Sequence, residues 1–226
     1  VQDIPAIAEA AHARGAVVIH DNTWGTPINF RSFERGVDVS VHAATKYIVG
    51  HSDAMLGIIV TRNEHYDALI KNFRYWGQHA APDDCYLGLR GLRTMGVRLK
   101  QHQESALVVA NWLNDHPDVS RVLYPAMPGD PGHEIWKRDF EGACGLFGVV
   151  LNRHYDDEAL GAMLDGLELF AMGASWGGFE SLILPSTPIR TATTWEAEGS
   201  LLRLHIGLEH PDDLIADLGA GLARLK

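Results

Sequence analysis

The run Ala16-Val17-Val18-Ile19-His20 limits what this chain can become more than any other segment. It is short, rich in β-branched residues and nearly continuous in apolar ones. That pattern belongs to a strand covered on both faces, as in a parallel α/β sheet. The preceding residues fit: Asp3 can cap a helix whose first turn tolerates Pro5, residues 6–14 are good helix formers, and Gly15 ends it. Asp21 then stands at the C-terminal end of a strand, the edge of an open α/β sheet at which ligands bind.

A second strand is expected at residues 37–41, leading into His42-Ala43-Ala44-Thr45-Lys46, and a third at residues 57–61. Lys46, like Asp21, therefore follows a strand end. From Leu92 onward, Met95, Leu99, Ala106, Ala110 and Leu113 recur at helical steps and form one apolar stripe, stopped by His116-Pro117. Beyond it come short strands at 146–151 and 201–206, interleaved with helices at 156–164 and 212–225. This predicts an α/β domain over residues 1–92 and a smaller α+β domain over 93–226, with the long helix at the boundary. The Pro/Gly-rich stretch 125–132 reads as a surface loop.

Bulk properties exclude several classes. With 46% hydrophobic and 21% charged residues in 226, the chain has the composition of a soluble globular protein. No apolar run approaches membrane-spanning length. A net charge of -10 makes nucleic acid and anionic membrane surfaces poor partners. Two cysteines, Cys85 and Cys144, lack the spacing of a disulfide framework or a zinc site, and a reducing cytoplasm fits best. The opening residues have neither the basic stretch nor the apolar core of a signal peptide. A chain that starts inside an amphipathic helix without an initiator Met is expected to be part of something longer.

A single lysine is ordinarily a solvated surface charge, and a single Asp after a strand ordinarily a cap or turn residue. Here Lys46 sits in Thr45-Lys46-Tyr47 before Gly50-His51-Ser52-Asp53, between apolar strands that would bury its stem. Burial depresses a lysine pKa and makes the amine a nucleophile for carbonyls. Pyridoxal 5'-phosphate (PLP) chemistry needs such a lysine, plus an acid that keeps the ring nitrogen protonated, a role open to Asp21. Thr45 can donate its hydroxyl to the cofactor phosphate.

Asp21-Asn22-Thr23-Trp24, Ala44-Thr45-Lys46-Tyr47 and Gly50-His51-Ser52-Asp53 together resemble the signature of the Cys/Met-metabolism PLP enzymes, and the likeness extends to Leu201-Leu202-Arg203-Leu204-His205-Ile206-Gly207-Leu208-Glu209. That family comprises the cystathionine γ-synthases, γ-lyases and β-lyases and the homoserine sulfhydrylases. The resemblance implies an aspartate aminotransferase-like fold (PLP fold type I), here incomplete at its N-terminus, with Lys46 as the covalent cofactor lysine and Asp21 at the ring nitrogen. It implies that Arg203, otherwise an exposed or ion-paired strand residue, binds the substrate α-carboxylate as a fork. Trp176 in Ser175-Trp176-Gly177-Gly178, with His133-Glu134-Ile135-Trp136-Lys137-Arg138-Asp139-Phe140, looks like the bacterial cystathionine β-lyases. Ser175 and Trp176 would then line the substrate pocket. The alternative for Trp176 is an aromatic packed in the core.

The expected reaction is β-elimination of L-cystathionine to homocysteine, pyruvate and ammonia, by a cytoplasmic homotetramer built as a dimer of dimers. Its rivals are γ-elimination or γ-replacement, or a silent fragment serving only association. Ala43 departs from the family, where serine is common, so one phosphate donor is absent. The family's ring-stacking tyrosine and Gly-rich phosphate turn do not occur here, and the chain by itself is not expected to form a complete site. No metal site is expected: neither His51-Ser52-Asp53 nor His133-Glu134 has a recognised ligand spacing, and His51 is expected to order the loop behind Lys46.

Overall fold

A computed structural model describes residues 1–225. The elements run α1 (Ile4–His12), β1 (Ile19–Asp21), α2 (Thr26–Asn29), a 3-10 turn at Ser32–Arg35, β2 (Val39–Ala43), β3 (Gly57–Thr61), α3 (Asn63–Tyr75), α4 (Pro82–Leu92) and α5 (Met95–Asn114). Then follow β4 (Val119–Leu123), α6 (His133–Asp139), β5 (Leu146–Leu151), α7 (Asp157–Leu164), β6 (Ala171–Met172), β7 (Leu182–Ser186), β8 (Leu201–His205) and α8 (Pro211–Leu222). The chain forms two compact units, one of Val1–Val97 with Pro131–Ala143, the other of Arg98–Asp130 with Cys144–Lys226. The division falls inside α5, a little beyond the expected boundary, and the segment around α6 returns to the first unit.

In the first unit, α1 begins where the sequence places it: Asp3 accepts the Ala6 amide at 3.2 Å and Pro5 lies in the first turn. β1 pairs in parallel with β2, with Asp21 opposite Val41, and β2 pairs antiparallel with β3. The sheet order is β1-β2-β3. The expected first strand is thus shorter and later, and its expected double covering does not occur: Val17 is 51% and Ile19 64% exposed. The physical reason is that among the described residues no element covers the side chains of Val17 and Ile19, and β2 is the only described strand paired with β1.

Residues 131–143 join this unit through Phe140, whose ring lies 4.6 Å from that of Phe30 and 5.7 Å from that of Trp24. Asp139, almost fully buried, receives Arg138 at 2.6 Å and Arg35 at 3.4 Å, and Arg138 reaches Asp3 at 2.8 Å. A buried carboxylate needs such partners.

The second unit is built on a five-stranded sheet of order β4-β5-β8-β7-β6, antiparallel except between β6 and β7. This matches the α+β reading. The apolar stripe of α5 is real: Met95, Leu99, Ala106, Ala110 and Leu113 are each at most 3% exposed. Asp156 caps α7 by accepting the Ala159 amide at 2.9 Å. Among the described residues no helix is long and apolar enough to cross a membrane.

Candidate active site

The candidate residues read from the sequence fall into two groups of side chains, one in each unit. In the first, Asp21 and the turn bearing Lys46 follow the C-terminal ends of neighbouring parallel strands. The two are linked through Thr23. Its hydroxyl donates to Asp21 Oδ1 at 2.5 Å and accepts the Ala43 amide at 2.8 Å, and its own amide donates to the same oxygen at 3.0 Å. Asp21 Oδ2 accepts no hydrogen bond among the described residues, which leaves one carboxylate oxygen for a ligand. The histidines nearest in charge, His20 and His42, do not compensate it: burial pushes both imidazoles below their ordinary pKa toward the neutral form.

The Lys46 turn is held at both ends. Lys46 donates its amide to Ala43 O at 3.0 Å, Val49 to Ala44 O at 2.8 Å, and Gly50 to Lys46 O at 2.7 Å. Ala44, Tyr47, Ile48 and Val49 are buried, while Lys46 itself is half-buried. Thr45 Oγ1 accepts the Leu56 amide at 2.9 Å and lies 3.4 Å from Leu56 O, so it ties the turn to the entry of β3. Helix α4 packs on the same turn at Gly91, where a Cβ would run into the carbonyls of Ile48 and Val49. His51 Nδ1 meets Val49 O at 2.6 Å, in keeping with its expected ordering of this loop.

In the second unit, β8 alternates as the sequence implies, with Leu202, Leu204 and Ile206 buried on one side. Arg203 Nη2 donates to the cluster of carbonyls of Gly173, Ala174 and Ser175 at 2.9–3.1 Å. Its Nε is buried without a hydrogen-bond partner, and no acid pairs with it among the described residues. Burial accordingly pushes the guanidinium below its usual pKa. A cation held out of water without a counter-charge suits an anionic ligand. Ser175 is exposed and Trp176 half-buried, so Trp176 is not a residue of the closed core.

Sequence reasoning assigned no role to the residues that hold this loop. His205, 1% exposed, accepts the Gly177 amide on Nε2 at 3.1 Å, and its ring lies 5.3 Å from His102. His102 Nδ1 pairs with Ile206 O at 2.8 Å, and burial pushes its pKa down to about 4. The Glu209 carboxylate accepts from Ser181 N at 2.7 Å and Ser181 Oγ at 2.8 Å, while that hydroxyl accepts the Gly207 amide at 2.8 Å. A Cβ at Gly207 would collide with Phe179 O. The available signal was that His205, Gly207 and Glu209 share one motif with Arg203.

Residues 1–223 match the Cys/Met metabolism PLP-dependent enzyme family. The chain belongs to that family. PLP is the cofactor that membership implies. The donor set fits it: a carboxylate with one open oxygen beside a lysine-bearing turn. The chain is 50% identical to cystathionine beta-lyase MetC of Escherichia coli (strain K12), over the whole chain and 59% of the relative. It is 43% identical to an L-alanine/L-glutamate racemase of Wolbachia pipientis wMel, over the whole chain and 57% of that protein. Among solved structures, cystathionine gamma synthase from Xanthomonas oryzae pv. oryzae superposes with a TM-score of 0.91 at 35% identity, covering all of this chain and 60% of that one. The aspartate aminotransferase-like fold expected from the sequence is thereby shown. The family member described here spans about three fifths of the length of these relatives.

Proposed function

We propose that this chain carries the cofactor lysine and the carboxylate-binding arginine of a carbon–sulfur β-lyase that splits L-cystathionine, with water, into homocysteine, pyruvate and ammonia. The half-buried, acid-free guanidinium of Arg203 carries the reading, because a substrate α-carboxylate supplies the charge it lacks. Similarity to the Escherichia coli β-lyase supports the reaction class.

Bound PLP supplies a protonated ring that accepts the electron pair left at Cα when its proton departs. Lys46 would hold the cofactor through Nζ, and the same amine, when not bonded to the cofactor, would serve as the base for the substrate Cα proton. Asp21, with Oδ1 already held by Thr23, would keep the ring nitrogen protonated. Thr45 would donate its hydroxyl to the cofactor phosphate in place of its 3.4 Å contact to Leu56 O, and Ala43 adds no second hydroxyl. Ser175 and Trp176 line the carboxylate end of the substrate. A cytoplasmic dimer of dimers completes the proposal; Cys85 and Cys144 form no disulfide, which is compatible with a reducing compartment.

The test is Lys46→Ala in the full protein, followed by pyruvate release from cystathionine. Loss of a general base predicts a fall of at least about 10²–10⁴-fold. Undiminished turnover rejects the role of Lys46, and 2-oxobutyrate in place of pyruvate replaces β- with γ-elimination.

A further inference from the structure

Asp38 lies just before β2, remote in sequence from α1 and α3, yet side chains from both helices meet it. His12, in the last turn of α1, places Nε2 2.9 Å from Asp38 Oδ2. Glu64 and His65, in the first turn of α3, bring a carboxylate oxygen and a ring nitrogen so close that the ligand atoms of Asp38, Glu64 and His65 all lie within 4.8 Å of one another. The Glu64–His65 separation is 3.8 Å.

Two features distinguish this cluster from an ordinary surface ion pair. First, its negative charges are not matched by lysine or arginine among the described residues: Asp38 pairs only with His12, and Glu64 only with His65. The adjacent Arg62 spends its guanidinium on Phe33 O at 2.9 Å and Val37 O at 3.4 Å. Second, Asp38 is fixed by the Val18 amide, which donates to Oδ2 at 2.7 Å, while Oδ1 accepts no hydrogen bond. A rigid, largely buried carboxylate with one open oxygen is thus flanked by two imidazoles and a second carboxylate.

We propose that Asp38, Glu64 and His65, joined by a side-chain rotation of His12 from its place on Asp38, form a divalent-cation site of the zinc class, separate from the cofactor chemistry. Tetrahedral zinc with nitrogen and oxygen ligands at about 2.0–2.1 Å sets its donors roughly 3.3 Å apart, within a side-chain rotation of the spacings among Asp38, Glu64 and His65 and of the His12–Asp38 pair. Two nitrogens and two oxygens favour Zn²⁺ over Mg²⁺ or Ca²⁺, which take oxygen ligands. His12 binds as its neutral tautomer with the proton on Nδ1. The bound ion would tie the end of α1 and the start of α3 to the entry of β2. These residues stand apart in the sequence with no recognised spacing, which is why reading the chain gave no metal site.

The experiment is calorimetric titration of the untagged, EDTA-stripped chain with Zn²⁺, with Mg²⁺ as control. One Zn²⁺ per chain is expected to bind saturably, with no comparable Mg²⁺ signal, and to raise the thermal midpoint by several degrees. His65→Ala and His12→Ala, at partly exposed positions that leave the Asp38–Val18 bond intact, should each weaken binding at least about 10-fold, with unchanged circular dichroism. Absence of saturable binding overturns the proposal. So does Zn²⁺ binding of equal affinity in both variants, which would mark adventitious binding by other histidines.

Discussion

The Thr23 hydroxyl donates to Asp21 Oδ1 at 2.5 Å while accepting the Ala43 amide at 2.8 Å, so one side chain orients the Asp21 carboxylate and anchors the approach to Lys46. Thr23→Val removes both bonds at a buried position. The expected cost is about 1–3 kcal/mol of stability from the orphaned Ala43 amide, read by urea unfolding. Cofactor affinity, read by absorbance titration, should fall about 10-fold, since roughly 1.4 kcal/mol of carboxylate orientation corresponds to that factor. Thr23→Ser should restore both, and a cofactor affinity unchanged in Thr23→Val would remove Thr23 from this role.

Arg203 presents a planar fork whose Nη2 is already committed to the loop carbonyls of residues 173–175. Lysine cannot hold the carbonyls and a carboxylate together. Arg203→Lys should therefore raise KM for cystathionine by about 10-fold or more, with a smaller change in kcat. Steady-state kinetics decide it, and an unaltered KM would argue against carboxylate binding there.

His205 holds the same loop from the other side through the Gly177 amide. His205→Leu leaves that buried donor without an acceptor, at a cost of about 1–3 kcal/mol. It should also raise KM while His205→Gln, which keeps an acceptor, rescues part of the loss. Chemical unfolding and kinetics on the pair separate a positioning role from simple packing.

The buried His102, with its pKa near 4, is favoured as the neutral form in the folded chain. Its ordinary value of 6.5 applies when unfolded. Stability should be full above pH 6.5 and fall as the pH drops toward 4, because only the unfolded chain then takes up the proton. The contribution is on the order of 3 kcal/mol, and His20 and His42, lowered likewise, act in the same direction. Urea midpoints at several pH values should show this slope, and His102→Gln should flatten it.

Much of the secondary structure was legible because its causes are local. The Asp3 cap, the α5 stripe and the strand at residues 57–61 all lie where capping chemistry or periodicity puts them. The first strand was misread in its burial, since an apolar run specifies a preference for covering and not whether another element supplies it. The candidate residues Asp21, Thr45, Lys46 and Arg203 could be picked out from their motifs alone. Their supports, Thr23, His205 and Glu209, were not, because each acts through a partner elsewhere in the chain.

By itself the sequence determined the helices and strands, the residues able to carry PLP chemistry and the family to which they belong. Only the tertiary structure decided which Asp21 oxygen stays open, that Arg203 lacks a counter-charge among the described residues, that residues 131–143 pack with the first unit, and that Asp38, Glu64 and His65 meet. The physical reason is range. Periodicity and capping are set by residues a few positions apart, whereas hydrogen-bond satisfaction and charge pairing depend on which distant segments chain closure and packing bring together.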